Sequence, residues 1–214
     1  MTGTGGAPVL LVLGIDGAGK TTQAKLLAAS LEERGFGVTR FVGPRPSFVQ
    51  QALDPIARDL GRKDCWSLLD ADAIRLAGSL ATLRDLTREV LPALDTDRHF
   101  VVMDRYAHCQ YAVGRVFGAT NEALIRRLCS ILPVPALTFY LDVGLHEADH
   151  RIRLRGEDDE TLEYLAALDA AYRALPEAEA YVHVDGERPI QSVHAELCAA
   201  VSDRFPETWS PLAA

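Results

Sequence analysis

Short unbroken apolar runs alternate along this chain with longer stretches in which apolar residues recur every three or four positions. Val9 to Leu13 is the clearest run, and five apolar residues with no polar face predict a strand buried on both sides of a parallel sheet. Val38 to Val42, Phe100 to Met103, Leu137 to Leu141 and Tyr181 to Val184 are the other predicted strands. Between the first two, Ala24, Leu27, Ala28 and Leu31 fall at i, i+3, i+4 and i+7, which predicts a helix stopped at Gly35 and Gly37. Further helices are expected over Phe48 to Leu60, with a break near Asp54-Pro55, and over Trp66 to Leu91 as one helix or two. Asn121 to Leu132, Leu145 to Arg155, Thr161 to Ala174 and the stretch carrying Ile190, Val193, Leu197 and Val201 complete the set. Strands alternating with helices predict an α/β fold, a five-stranded parallel sheet flanked by helices. No internal repeat or second domain is visible, so residues 1–214 are expected to form a single domain.

The first strand runs into Gly14-Ile15-Asp16-Gly17-Ala18-Gly19-Lys20-Thr21, which reads GxxxxGK[ST] and opens a helix. A strand, this loop and a helix form a phosphate-binding loop, and so predict the P-loop NTPase fold. Glycines let the backbone aim its N–H groups at phosphate oxygens, and the helix adds its positive end. Lys20 is expected to neutralise the β- and γ-phosphates and the Thr21 hydroxyl to ligate Mg²⁺, with Thr22 beside them. After the third strand, Asp104-Arg105-Tyr106 stands where open α/β sheets place ligands. Asp104 is a candidate Mg²⁺ ligand through water, and Arg105 a candidate bidentate phosphate grip.

Composition narrows the partners. The net charge of −8 argues against a nucleic-acid polymer, which needs a basic surface, while leaving room for a local basic cleft. Cys65, Cys109, Cys129 and Cys198 are widely spaced with no CxxC pair and read as reduced packing residues of a cytoplasmic protein. No apolar run is long enough to span a bilayer, so no membrane partner is expected.

The chain resembles the thymidylate kinases, within the P-loop nucleoside monophosphate kinases. GIDGAGKTTQ at Gly14 to Gln23, DRY at Asp104 to Tyr106, TFYLDV at Thr138 to Val143 and RIRLRGEDDE at Arg151 to Glu160 carry the resemblance. It implies ATP- and Mg²⁺-dependent phosphorylation of a nucleoside monophosphate, dTMP first, by a homodimer with a mobile arginine-rich lid at about residues 151–160. Within the loop, the resemblance makes Asp16 a hydrogen-bond partner of the acceptor's 3′-hydroxyl. Ala18 is the small residue of bacterial-type members, whose catalytic arginine lies in the lid. Arg151 and Arg155 share a helix face at i, i+4 while Arg153 points elsewhere, so the first two are the candidates. Arg75 and Tyr106 are expected acceptor contacts, Arg45 a weaker one, and Asp185 to Pro189 is expected to border the adenine.

Other readings stay open. Cys109-Gln110 and Ala112-Val113-Gly114 stand where the family has Ser-Ser and Ala-Tyr-Gln, which leaves the acceptor's base open. A deoxynucleoside kinase, or a kinase of an unusual nucleotide-like metabolite, shares the loop and the lid. A non-catalytic nucleotide switch is more remote, since the only asparagine, Asn121, precedes Glu122 and no NKxD motif exists. His146-Glu147-Ala148-Asp149-His150 fits the HExxH metalloprotease pattern, but the family resemblance accounts for the same segment without a metal.

Overall fold

The computed structural model describes residues 6–43, 48–156 and 160–206. Its centre is a parallel sheet of five strands, β1 (Val9–Leu13), β2 (Gly37–Phe41), β3 (His99–Met103), β4 (Leu137–Asp142) and β5 (Tyr181–Asp185), in the order β2-β3-β1-β4-β5. All five residues of β1 are buried, as expected for a central strand covered on both faces. Leu10 is in register with Val102 on one side and Leu137 on the other. The chain therefore leaves β1 toward β3 and β2 on one side and reaches β4 and β5 on the other. The crevice of an open sheet opens at such a switch, and the phosphate-binding loop lies there.

Nine α-helices are found among the described residues: α1 (Lys20–Glu32), α2 (Phe48–Asp59), α3 (Ala71–Glu89), α4 (Leu91–Leu94), α5 (Ala107–Val116), α6 (Glu122–Cys129), α7 (Leu145–Arg155), α8 (Leu162–Arg173) and α9 (Ile190–Arg204). The periodic residues Ala24, Leu27, Ala28 and Leu31 of α1 are all buried against the sheet. Phe36 and Phe205 each meet Phe100 edge to face, at 5.4 and 5.6 Å between ring centres, and tie the end of α9 to the sheet.

One expectation is overturned, one is refined and one helix was not foreseen. The break at Asp54-Pro55 does not occur, because α2 runs through Pro55. Proline removes the bond to the carbonyl four residues earlier, but Gln51 is exposed, so water can satisfy that group. Asp54 instead accepts from the Cys65 amide at 2.9 Å. The stretch from Trp66 to Leu91 divides into a 3₁₀ turn (Cys65–Ser67), α3 and α4, and Asp70 caps α3 by accepting from the Ala73 amide at 2.8 Å. Helix α5 had no forecast at all. Residues 107–114 are buried without interruption, so α5 presents no solvent-exposed stripe along most of its length.

Candidate nucleotide site

The glycines of the loop keep the side of the cradle open. Gly14, Gly17 and Gly19 hold φ of 144°, 83° and 91°, values that favour glycine. A Cβ at Gly14 would meet the Leu141 carbonyl at 2.9 Å, and one at Gly17 the Ala148 carbonyl at 2.4 Å. The loop is thus wedged against β4 from below and against α7 from the side.

A cavity of about 320 Å³ opens over this loop, lined by Asp16, Gly17, Gly19, Lys20, Thr21, Thr22, Asp104, Arg105 and Arg155 together with Val42 and Gly43. Lys20 is buried and donates to the Ile15 carbonyl at 2.7 Å and to Asp16 Oδ1 at 3.3 Å. Arg105 donates to the same Asp16 oxygen at 3.0 Å. Burial pushes the Asp16 carboxyl up, but the charges of Lys20 and Arg105 outweigh it and hold the group well below the usual carboxylate range. For Arg105 burial acts downward, yet the Asp16 charge raises the guanidinium above its ordinary value. Two cations converging on one carboxylate form an arrangement that an incoming phosphate can share or displace.

Across the loop, Thr21 donates its hydroxyl to Asp104 Oδ2 at 2.6 Å. Asp104 is buried at the end of β3, and its Oδ1 has no hydrogen-bond partner among the described residues. A buried acceptor without a partner is costly unless something binds it. A hydroxyl beside a carboxylate is the hard oxygen set that suits Mg²⁺. The cavity brings together three cations, Lys20, Arg105 and Arg155, and two carboxylates, Asp16 and Asp104. Glu160 hydrogen-bonds Asp16 and adds a third carboxyl group, so the cations of the cluster are matched by acidic side chains.

A second cavity, of about 240 Å³, continues from the first on the far side of the loop. Ala18, Gly19, Thr22 and Gln23 form one wall, Ile190 and Val193 an apolar one, and Arg151, Gly186 and Arg188 the rest. Gln23 donates to the Ile190 carbonyl at 3.0 Å, which ties α1 to the start of α9. Arg151 donates from Nη1 to the Gly186 carbonyl at 3.1 Å and from Nε to Glu147 at 2.7 Å. Arg188 pairs with Glu196.

The two candidate lid arginines therefore line different cavities, Arg155 the one over the loop and Arg151 the second one. Arg153, with its side chain 75% exposed and paired to Asp149, points to solvent as the helix spacing requires. Residues 157–159 of the lid and Arg45 lie outside the described residues. Arg75 is fully buried on α3 and lines neither cavity; it donates to Gln50 at 3.3 Å and lies 5.9 Å over the Phe117 ring. Tyr106 is buried and donates its hydroxyl to the Pro133 carbonyl at 2.5 Å, which fixes the chain after Arg105. Gln23 had no assigned role in the sequence reading, and Glu147 entered it only as the acidic residue of the HExxH pattern. Gly186 and Arg188 fall in the stretch expected to border adenine.

In the HExxH segment, both histidines are exposed and the Glu147 carboxylate is turned to Arg151. Among the described residues no group of three or more His, Cys, Asp or Glu side chains could hold a metal ion. No helix among them is long and apolar enough to cross a membrane.

Comparison with known proteins agrees with this geometry. The family model described as thymidylate kinase matches residues 12–197. A probable thymidylate kinase of Pyrococcus horikoshii is 30% identical over 197 residues, covering 90% of this chain and 94% of that protein. A thymidylate kinase of Geobacillus thermodenitrificans is 31% identical over 203 residues, covering 90% and 88%. A probable thymidylate kinase of Archaeoglobus fulgidus is 32% identical over 192 residues, covering 88% and 92%.

Proposed function

This chain belongs to the thymidylate kinase family, a phosphotransferase family whose members use ATP to convert dTMP to dTDP, and from that premise we propose how its own residues carry the reaction. An oxygen of the dTMP phosphate attacks the γ-phosphorus of ATP in line, the bond to the β–γ bridging oxygen breaks, and ADP leaves. No covalent enzyme intermediate is required. The observation that carries the assignment of roles is the convergence of Lys20, Arg105 and Arg155 with Thr21 and Asp104 on one cavity over the loop.

In this reading Lys20 and the loop amides hold the β- and γ-phosphates. Arg105 turns from Asp16 to the acceptor's phosphate, and freed Asp16 accepts from its 3′-hydroxyl. Arg155 reaches the equatorial oxygens of the transferring group, where positive charge lowers the barrier most. Thr21 and Asp104 would hold Mg²⁺, which would supply neutralisation of the phosphate charge. The cavity lined by Arg151, Arg188, Ile190 and Val193 takes the adenine and ribose of ATP, since an apolar wall between guanidinium groups suits a purine face. Closure of the lid excludes water and so protects the phosphoryl group from hydrolysis. Residues 1–214 act as one catalytic domain, and the family resemblance supports a cytoplasmic homodimer.

A coupled assay with ATP and Mg²⁺ across dTMP, dUMP, dCMP, CMP and thymidine tests the reading. We expect turnover with dTMP, and a loss of about a hundredfold or more in kcat on Lys20→Ala. Turnover of thymidine but not dTMP would replace the reading with a nucleoside kinase.

A further inference from the structure

We propose that Glu147 is a positioning residue for the donor nucleotide: it locks the Arg151 guanidinium in the orientation that forms one wall of the 240 Å³ cavity. The inference rests on the reading of that cavity as the subsite for the adenine and ribose of ATP. Glu147 lies in the first turn of α7, one helical turn before Arg151, so the two side chains share a face. Its Oε1 accepts from Arg151 Nε at 2.7 Å, while Arg151 Nη1 donates to the Gly186 carbonyl at 3.1 Å. A guanidinium is planar, so bonds at two of its nitrogens, to partners on different elements, remove the rotations that a free arginine would keep. The guanidinium held in this way lines the same cavity as Ala18, Gln23, Ile190 and Val193.

A side chain that is already ordered loses little further freedom when a ligand packs on it, which is how preorganisation raises affinity. The size of the effect follows from exposure. The Glu147 and Arg151 side chains are 41% and 29% exposed, so water screens the pair and its loss should weaken binding by about threefold to fivefold, not by orders of magnitude. Glu147 is also the acidic residue of the HExxH pattern. Its bond to Arg151 gives that residue a role in nucleotide binding in which no metal takes part.

The test is calorimetric titration of the full-length protein with ADP, for the wild type, Glu147→Ala, Glu147→Gln, Arg151→Ala and the double variant Glu147→Ala/Arg151→Ala. Glu147→Ala should weaken ADP about threefold to fivefold, and Glu147→Gln, which keeps an acceptor for Nε, should recover about half of the loss. In the Arg151→Ala background, removal of Glu147 should change nothing, because the partner through which it acts is gone. In steady state the KM for ATP should rise by the same factor while kcat and the KM for dTMP stay within about twofold. Wild-type affinity in Glu147→Ala, or an equal loss with and without Arg151, overturns the proposal and leaves a helix-stabilising pair. Failure of the wild type to bind ADP overturns the donor-site reading and this inference together. If the wild type binds ADP without phosphorylating dTMP, only the acceptor assignment falls, and the predicted pattern of ADP affinities still supports the role of Glu147.

Discussion

Replacing Gly17 by alanine drives a methyl group into the backbone of α7. The new Cβ would lie 2.4 Å from the Ala148 carbonyl oxygen and 2.8 Å from both its carbonyl carbon and Cα. Ordinary contact begins about 1 Å farther out, so the loop or the helix must move by that much. Ala148 cannot yield easily: it is fully buried, and its amide is bonded to the Gly144 carbonyl at 3.0 Å. The positive φ of Gly17 adds about 1–2 kcal/mol of backbone strain for any L side chain, and overpacking adds about 1–3 kcal/mol. Gly19 provides the control, since it has a similar φ of 91° but no atom within 4 Å of its would-be Cβ. Gly19→Ala therefore carries the strain without the collision. In thermal melts Gly17→Ala should unfold roughly 5 °C below Gly19→Ala, at about 2–4 °C per kcal/mol for a domain of this size. Its kcat/KM for ATP should fall by about a hundredfold, because a 1 Å displacement of the loop misplaces the phosphates. Equal melting temperatures for the two variants, with ATP kinetics of Gly17→Ala unchanged, would refute the contact between loop and α7.

Two further outcomes follow from groups at and beside the site. Asp104→Asn keeps an acceptor for the Thr21 hydroxyl but removes the charge, so the Mg²⁺ concentration for half-maximal activity should rise about tenfold, and an unchanged Mg²⁺ curve would exclude Asp104 from the metal site. His108 is enclosed by Tyr106, Tyr111 and Tyr181, with Glu177 and Arg126 as the nearby charges; burial pushes its imidazole down to about 4, against the opposing pull of Glu177. The unfolded chain then binds the extra proton first, so stability is full above about pH 6.5 and declines by about 1.4 kcal/mol per unit as pH falls toward 4. Urea melts between pH 7 and 5 should show that slope in the wild type and lose it in His108→Phe.

How much of this was legible beforehand depends on the range of the interaction concerned. All five strands were predicted near their observed places, β1 as an unbroken apolar run and the loop as a motif, because β1 needs apolar residues on both faces and the cradle needs glycine at positive φ. Asp104 and Arg105 were legible from their place after β3. Helix α5 was not, since a helix packed among α3, α6 and α8 with residues 107–114 all buried shows no exposed polar stripe from which to recognise it. The division of labour between Arg151 and Arg155 was also out of reach. Their spacing put them on one face of α7, but the face turns past Gly186 and then the phosphate loop, so one turn of helix separates two cavities.

The sequence by itself determined the local chemistry: where the glycine-rich loop lies, which side chains carry the charge, and how strands and helices alternate, all of which follow from short-range spacing and backbone preference. Only the tertiary structure decided which of those charges meet. Asp16 against Arg105, Thr21 against Asp104, Gly17 against Ala148 and Arg151 against Gly186 depend on parallel strands bringing distant loops to the carboxyl end of the sheet. No pattern along the chain encodes those distances, because they are set by the strand order β2-β3-β1-β4-β5 and by the packing that holds it.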